Sequence, residues 1–433
     1  MPPPSSRRRI PAHIRRRRFF AVLGLVALAG VVALAWPSAD APSTRAGARI
    51  EQRAGVTAEG VGDADAAAVG SASATTEEPY VAPPAWLAWI SGGFEPSFRD
   101  AARSLPGFDA TVVVAGDTLW LTGSRASDDR VLDRPRPPYR IPIDAFSVDP
   151  GDYAPFVGPS VRDTVVQVLR GGDAVLGASS AALRDIDVGG ELSFGGTTVE
   201  VGAIVPDEAV GWSEMLVSRP VGTTLGISHD RHLLGLTANT SLTENSFRAR
   251  VGELLPTGTP IRVDAPGSTP YVRVASGVRP AVFMKQVFGE FSASVRSDGV
   301  SLDLDPRWVD EHIVTRSVPL LGSVTCHRKL FPPMIAALAS LEAQGLGDLV
   351  EVYSGCWVAR TVARSTTAPP SYHSYGAAID INAPSNPYGE PPNQDPRLVA
   401  AFEDQGFNWG GDFLIPDGHH FEHWGQPGDR PPR

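Results

Sequence analysis

Two side chains that can bind a metal ion, His373 and Asp380, stand seven positions apart in the segment YHSYGAAIDIN, residues 372–382. Small residues at 376–378 separate them, and small side chains let a backbone pass close to an ion. The spacing brings both ligands to one point if the chain runs from a loop into a strand. A helix cap followed by a buried strand would explain the same residues without a metal.

The C-terminal segment supplies further candidate ligands. Four of the nine histidines fall in the final 61 residues, three of them within WGGDFLIPDGHHFEHWG. A catalytic zinc site typically has three nitrogen or oxygen ligands and keeps a water in the fourth position. The third ligand is therefore sought among the clustered histidines, which are His419, His420 and His423.

An acidic residue distinguishes His420 from its neighbours. A hydrolytic metal site needs a carboxylate near the metal-bound water to act as general base. Of the three histidines, only His420 has an acid, Asp417, three positions before it. We therefore predict that His373, Asp380 and His420 bind zinc and that Asp417 is the general base.

The two segments SYHSYGAAIDIN and WGGDF…PDGHHFE resemble the zinc peptidases that cut peptidoglycan stem peptides. That family includes D-alanyl-D-alanine carboxypeptidases and L-alanyl-D-glutamate endopeptidases, and it shares a fold with the Hedgehog signalling domain. Its ligand pattern is His, then Asp seven residues on, then a distant His with an acid three residues before it. All four positions match here, and the resemblance covers roughly residues 320–425.

The same resemblance points to a catalytic arginine. The segment YSGCWVAR, residues 353–360, is similar to the family's GGC…R segment, which makes Arg360 the counterpart of its essential arginine. A guanidinium is a planar, permanently charged donor for a substrate carboxylate or for the oxyanion that forms during attack. A surface salt bridge is the alternative role for this residue.

Other residues near these motifs have weaker interpretations. For Arg364, a role at the site like that of Arg360 and a place in a solvated loop both stay open. Trp409 and Asp412 fit a buried turn beside the site. For Glu422 and His423, support of a metal ligand from behind and plain surface exposure both stay open.

The last 118 residues, 316–433, have the alternating helix and strand signals of a compact α+β domain. FPPMIAALASLEAQG predicts a helix with proline at its start and Gly345 at its end. QDPRLVAAFEDQG predicts a second helix, with Asp395 as N-cap and Gly406 as terminator. The run LVEVYSG between them reads as a strand.

Residues 84–315 consist of short β-like runs punctuated by glycine and proline, which predicts a β-rich extracytoplasmic region. Gly195 and Gly196 separate two alternating runs and predict a hairpin. The stretch 174–240 resembles small β-rich extracellular domains of some transporter permeases. We expect this region to dock onto a protein partner in the envelope if it has a binding role. We interpret the histidines and aspartate at 229–232, which are His229, Asp230 and His232, as surface loop residues.

The N-terminal segments predict a membrane anchor. Residues 1–18 carry seven arginines and no acid, and residues 19–36 are eighteen uncharged, mostly apolar residues. This pattern predicts a cytoplasmic tail, one transmembrane helix and an exported C-terminal bulk, or a secreted chain if a signal peptide is cleaved after Ala35. Residues 37–83 predict a disordered linker. The chain has a net charge of −10 even with these seven arginines, so the rest of it is more acidic still, which argues against a nucleic-acid partner.

The chain has two cysteines, Cys326 and Cys356. In an exported protein an isolated pair favours a disulfide, and two free buried thiols are the alternative.

These observations predict a membrane-tethered bacterial zinc peptidase that cuts peptidoglycan stem peptides. Its membrane contact is the N-terminal helix, and sequence leaves carboxypeptidase and endopeptidase activity open. The alternative is a binding or regulatory protein of the cell envelope whose peptidase-like domain is catalytically inactive.

Overall fold

A computed structural model of the chain describes residues 80–267 and 279–425. The predicted transmembrane segment, 19–36, and most of the predicted linker lie outside the described residues. Within the described ranges, no helix is long and apolar enough to cross a membrane. The described part starts at Tyr80, whose hydroxyl accepts a hydrogen bond from the Gly158 N–H.

A ten-stranded mixed sheet dominates residues 80–267, in the strand order β10-β1-β9-β2-β4-β8-β5-β7-β6-β3. Strand β8 runs parallel to β4, and β7 runs parallel to β5, whereas the other pairs are antiparallel. The β-rich character that the sequence predicted is confirmed. The strands are β1 Trp86–Phe94, β2 Ala110–Leu121, β3 Gly123–Arg125, β4 Ile141–Val148, β5 Ala174–Gly177, β6 Glu191–Phe194, β7 Thr197–Val205, β8 Met215–Ser218, β9 Asp230–Leu236 and β10 Arg262–Asp264.

Helices cover both faces of this sheet, which the sequence did not predict. Successive side chains of a strand point to opposite faces, so Val112 packs with residues of α3 while Val113 packs with residues of α6. The predicted hairpin is confirmed, because β6 and β7 pair directly through Phe194 and Thr197. The helices are α1 Phe98–Arg103, α2 Pro150–Tyr153, α3 Pro159–Gly171, α4 Ala178–Arg184, α5 Arg219–Leu225 and α6 Glu244–Gly252.

The interpretation of residues 229–232 as surface loop is wrong for two of them. Asp230 and His232 are buried in strand β9. Asp230 accepts hydrogen bonds from Arg99 and Arg219, so its carboxylate is neutralised by arginines. It is a structural acid of the sheet.

A short connecting layer lies between the sheet and the C-terminal part of the chain. It contains helix α7 Ala281–Phe288, the hairpin of β11 Ala293–Val295 and β12 Leu302–Leu304, and helix α8 Pro306–His312. Its apolar side chains, among them Phe291 and Trp308, pack against Tyr372, Tyr375 and Ala378. The layer therefore forms the floor beneath the segment that carries His373.

The C-terminal part is an α+β domain around a four-stranded antiparallel sheet in the order β15-β16-β18-β17. Both predicted helices are present: Pro332 lies in the first turn of α9, Gly345 follows its end, and the Asp395 side chain caps α11. The elements are β13 Ile313–Val318, β14 Gly322–His327, α9 Phe331–Ala343, β15 Tyr353–Gly355, α10 Tyr372–Tyr375, β16 Ala378–Ile381, α11 Pro396–Glu403, β17 Phe407–Trp409 and β18 His420–His423.

The core of this domain covers one face of its sheet and leaves the opposite face for the polar side chains of the candidate site. Ile379 and Ile381 of β16, and Phe421 of β18, pack against the apolar faces of α9 and α11. Because side chains alternate along a strand, Asp380 and His420 point to the opposite face. A disulfide between Cys326 and Cys356, with Cα atoms 5.6 Å apart, joins β14 to the segment after β15 and confirms the predicted pairing.

Candidate metal centre

The first two predicted ligands are placed by one turn of helix followed by a strand. Ser371 caps α10, and His373 lies in that helical turn. Gly376 ends the turn in the left-handed conformation at φ 64°, after which the chain enters β16 and reaches Asp380. A Cβ atom at Gly376 would lie 2.5 Å from the His327 backbone nitrogen. Glycine is therefore required here by both the dihedral angle and the close approach of β14.

Strand pairing brings the third ligand to the same point. His420 begins β18 and stands directly opposite Asp380 of β16. The His373 Nε2 atom lies 3.1 Å from His420 Nδ1 and 3.2 Å from Asp380 Oδ1, and the latter two atoms are 3.2 Å apart. The three predicted ligands thus converge, and among the described residues they are the one group arranged to hold a metal ion.

The outer nitrogen of each imidazole is already engaged. His373 Nδ1 lies 2.5 Å from the carbonyl oxygen of Cys356, which can only accept, so this nitrogen carries the proton. His420 Nε2 lies 3.3 Å from a carboxylate oxygen of Glu422. Both arrangements leave the inner nitrogens as lone-pair donors. Two lone pairs and a carboxylate facing each other at 3.1–3.2 Å require a positive charge among them, so the residues fit a metal cation.

The pKa values of His420 and Asp380 point in the same direction. Burial disfavours the imidazolium form of His420, but the hydrogen bonds to Asp380 and Glu422 outweigh it and raise the pKa of His420 to about 10. Burial also opposes the charged form of Asp380, yet the two histidines lower the pKa of its carboxyl well below the usual range. The cluster therefore favours a positive charge, which a proton or a metal ion would supply. Metal binding must displace that proton, which makes it pH-dependent.

Asp417, the predicted base, lies in the tight turn before β18. The His420 backbone N–H donates to the Asp417 carbonyl at 3.0 Å, which fixes the turn. Asp417 Oδ1 lies 3.0 Å from His419 Nδ1, but that nitrogen donates its proton to the Asn386 carbonyl at 2.7 Å. Within the described ranges Oδ1 has no hydrogen-bond donor. Burial raises the pKa of the Asp417 carboxyl, which suits a group that accepts and returns a proton.

Arg360, the predicted arginine, is held by its backbone. Its N–H donates to Ser374 Oγ at 2.9 Å, and its carbonyl accepts from the same hydroxyl at 2.7 Å. Burial lowers the pKa of the guanidinium, and the charges of Asp380 and Asp417 act on it in the opposite direction. The guanidinium of Arg360 therefore feels the charges of Asp380, a candidate ligand, and Asp417, the predicted base.

The structure shows where the neighbouring residues lie, and His423 is half-buried with its ring against Phe407. Glu422 is buried and supports His420 from behind. The sequence did contain a signal for this role: His420 and Glu422 are two positions apart, which puts both side chains on the same face of a strand. Asp412 is exposed, so its assignment to a buried turn is wrong, whereas Trp409 is half-buried and donates to the Gly418 carbonyl at 2.9 Å. The role of the Cys356 carbonyl had no sequence signal, because any residue supplies a carbonyl.

Two solved structures are distantly similar to this chain. The periplasmic region of MacB from Actinobacillus actinomycetemcomitans is 8% identical with a TM-score of 0.30, covering 42% of this chain and 88% of that one. The extracellular domain of the ABC-type transporter YknZ from Gram-positive bacteria is 13% identical with a TM-score of 0.27, covering 40% and 92%. No curated protein matches the chain in sequence.

A protein-family comparison bears on the metal centre itself. The family model described as D-alanyl-D-alanine carboxypeptidase matches residues 364–423. That segment contains all three candidate ligands and Asp417, and it begins four residues after Arg360. The C-terminal region of this chain is thus similar to the D-alanyl-D-alanine carboxypeptidases, as the sequence motifs predicted.

Proposed function

We propose that the chain is a zinc-dependent peptidase that hydrolyses peptide bonds in peptidoglycan stem peptides. The observation that carries the proposal is the convergence of His373 Nε2, His420 Nδ1 and Asp380 Oδ1 within 3.1–3.2 Å of one another. The family match over the same residues supports the peptidase class and its substrate.

The donor set favours zinc over other metals. Two imidazole nitrogens and one carboxylate oxygen, with a further position open, are the ligand type of catalytic zinc, whereas magnesium and calcium prefer oxygen ligands. Zinc held by His373, Asp380 and His420 would supply Lewis acidity toward the scissile carbonyl and would lower the pKa of the attacking water.

Residues of the chain supply proton transfer, charge stabilisation and the orientation of the ligands. Asp417 accepts the proton of the attacking water on Oδ1, which has no other described donor, and returns it to the leaving amine. Arg360 places a fixed positive charge where negative charge develops on the carbonyl oxygen. His373 and His420 keep their orientation because the Cys356 carbonyl and Glu422 hold their outer nitrogens.

We place the activity on the outer side of the cytoplasmic membrane, anchored through residues 19–36 or released by cleavage after Ala35. The support is the basic and then apolar N-terminal sequence. Stem peptides are found in that location, and the disulfide fits an oxidising compartment.

The test is an aspartate-to-asparagine comparison in the full-length chain. Asp417→Asn removes the base but no ligand, so it should retain stoichiometric zinc while turnover of purified peptidoglycan falls by at least about 10²-fold. Asp404→Asn makes the same chemical change at an exposed residue of the same domain and should match the parent. An Asp417→Asn protein that cleaves at the parent rate rules out the mechanism. A parent that binds zinc and cleaves no stem peptide favours the alternative, an inactive envelope-binding protein.

A further inference from the structure

An extra residue interrupts strand β9 of the ten-stranded sheet at Arg231. Val114 of β2 pairs with His232. The next residue of β2, Ala115, pairs with Asp230, so the pairing register skips Arg231. The register between β9 and β1, on the other side, also shifts at this point. A β-bulge of this kind redirects a side chain from the regular alternation of a strand, and such bulges are common beside active sites.

The guanidinium of Arg231 joins three separate segments of the chain. Its Nε atom donates to the Gly116 carbonyl of β2 at 2.9 Å, and Nη1 donates to the Ser91 carbonyl of β1. Nη2 donates to the Thr367 carbonyl at 3.0 Å, in a loop of the C-terminal domain. A planar guanidinium carries five donors in a fixed arrangement, so it can hold carbonyls that lie in different directions. Arg231 therefore ties the loop at residues 362–370 to the sheet.

The loop at residues 362–370 contains a strained turn. Ala363 and Arg364 are consecutive non-glycine residues in the left-handed region, at φ 49° and φ 52°. Strain of this kind persists only where the surroundings impose it. Backbone hydrogen bonds close the base of the loop, and the bond from Arg231 holds its far side. Because a hydrogen bond from a charged donor and the strain of such residues involve similar free energies, loss of Arg231 would let the turn relax.

The strained turn also holds the guanidinium of Arg360. The Thr361 carbonyl accepts hydrogen bonds from the Arg364 N–H and from Arg360 Nη1, each at 3.2 Å. The conformation of the turn therefore sets the orientation of the carbonyl to which the guanidinium is bound. The backbone of Arg360 is anchored separately, because its carbonyl accepts from the Ser371 N–H at 2.9 Å and Ser371 caps the helical turn with His373. A relaxed turn would release the guanidinium and leave the candidate ligand in place.

We propose that Arg231 is a positioning residue of the candidate active site: its bond to Thr367 keeps the loop in the strained conformation that directs Arg360. This inference rests on the proposed peptidase function and adds a control of the same site by the ten-stranded sheet. The sheet contributes none of the candidate metal ligands, yet through Arg231 it determines where a predicted catalytic side chain points. Any rearrangement of the sheet that moves this bulge would change turnover at the metal centre.

Arg231→Gln in the full-length, zinc-loaded chain tests this role. With soluble peptidoglycan fragments released by a muramidase as substrate, kcat should fall by about 10–100-fold, because a small misplacement of Arg360 weakens a contact made in the transition state. KM and zinc stoichiometry should stay near the parent's. Arg231→Lys keeps the charge and should lose less. The matched control is Arg219→Gln, at a half-buried arginine that bonds Asp230 and Val113 within the sheet, and it should retain the parent's kcat.

Ala363→Gly separates positioning from a general loss of sheet stability. Glycine adopts a left-handed φ without a steric penalty, so this change favours the strained turn when Arg231 no longer holds it. In the Arg231→Gln background it should raise kcat about 5-fold or more, whereas alone it should leave kcat near the parent's. A lowered kcat that Ala363→Gly does not restore, or an equal loss in Arg219→Gln, would give Arg231 a structural role only and overturn the proposal.

Hydrogen exchange measured by mass spectrometry provides a readout that needs no turnover. The Val362 N–H donates to the Pro369 carbonyl at 2.9 Å and closes the loop. Peptides that cover this amide should exchange about 10-fold faster in Arg231→Gln than in the parent, and at the parent's rate in Arg219→Gln. If the parent cleaves no peptidoglycan fragment, the proposed function fails and exchange decides. Faster exchange then still supports the hold of Arg231 on the loop, and unchanged exchange overturns it.

Discussion

At the level of single residues, the candidate metal centre depends on what each imidazole does with its outer nitrogen. His373 uses a backbone carbonyl, which no substitution of Cys356 removes directly. His420 uses the carboxylate of Glu422, which a substitution can change. A carboxylate behind an imidazole fixes its tautomer and raises its basicity toward a metal. We therefore expect a substitution of Glu422 to change metal affinity while all three candidate ligands stay in place.

Glu422→Gln should lower zinc affinity by about 10–100-fold. The amide retains an oxygen for the Trp424 indole N–H, which donates to Glu422 at 2.8 Å, so the local packing is preserved. The negative charge behind His420 is lost, and the imidazole becomes a weaker donor. Zinc competition with a chromophoric chelator measures the change.

The matched control for this variant is Glu342→Gln, at an exposed position of α9. It should bind zinc like the parent. Equal zinc affinity in Glu422→Gln and Glu342→Gln would show that Glu422 is a structural acid without influence on the metal.

At the level of elements, the site depends on the approach of β14 to the turn between α10 and β16. Gly376→Ala would place a Cβ atom 2.5 Å from the His327 nitrogen and would hold a non-glycine residue at φ 64°. We expect the free energy of unfolding to fall by about 1–3 kcal/mol. Zinc affinity should fall with it, because the turn sets His373 relative to Asp380. Chemical denaturation of the apo and zinc-loaded forms measures both effects.

Gly196→Ala provides the comparison, because a Cβ atom there meets nothing within 4 Å. Its unfolding free energy should stay within about 0.5 kcal/mol of the parent. Should Gly376→Ala behave like Gly196→Ala, the close packing of β14 has no part in forming the site.

Some helices and strands could be predicted from the sequence and others could not. Local signals predicted α9, α11 and the hairpin of β6 and β7, since caps, prolines and paired glycines act over a few residues. Residue types at fixed spacing predicted that His373, Asp380 and His420 come together. The sequence did not predict the helices on the ten-stranded sheet or the connecting layer beneath His373. Long-range packing determines where these elements lie, and local sequence patterns do not report it. Residues 281–312 precede position 316, where the sequence changes character, yet they pack against Tyr372 and Tyr375.

At the level of the whole molecule, a buried charge network joins the ten-stranded sheet to the connecting layer. Lys285 of α7 places its Nζ atom 2.8 Å from both Glu214 and Glu290. Arg184 of α4 adds a second cation, 3.3 Å from Glu214. The two cations pair with the two glutamates, and Asp133 lies a further 3.9 Å from Arg184, so each buried charge has an opposite charge beside it. Through α7, this network also holds the layer that supports the metal centre.

Lys285→Met should destabilise the protein by about 3–5 kcal/mol, because it leaves Glu214 buried with one cation fewer. The effect should appear in calorimetry as one unfolding transition shifted to lower temperature, since the network links the sheet to the layer under the C-terminal domain. Lys329→Met changes the chain's other lysine, which is exposed, and should have little effect on the transition. Two separated transitions in the Lys285→Met protein would show that the sheet and the C-terminal domain unfold independently.

The disulfide between Cys326 and Cys356 has a consequence for the maturation of the protein. Cys356 supplies the carbonyl that orients His373, so the disulfide fixes the residue that holds a candidate metal ligand in place. Disulfides do not persist in a reducing cytosol. We therefore expect a reduced chain, which has all three candidate ligands but no disulfide, to bind zinc more weakly than the oxidised chain. Zinc retention by oxidised protein, compared with protein refolded after reduction and thiol blocking, measures this dependence; equal retention would show that loading needs no prior oxidation.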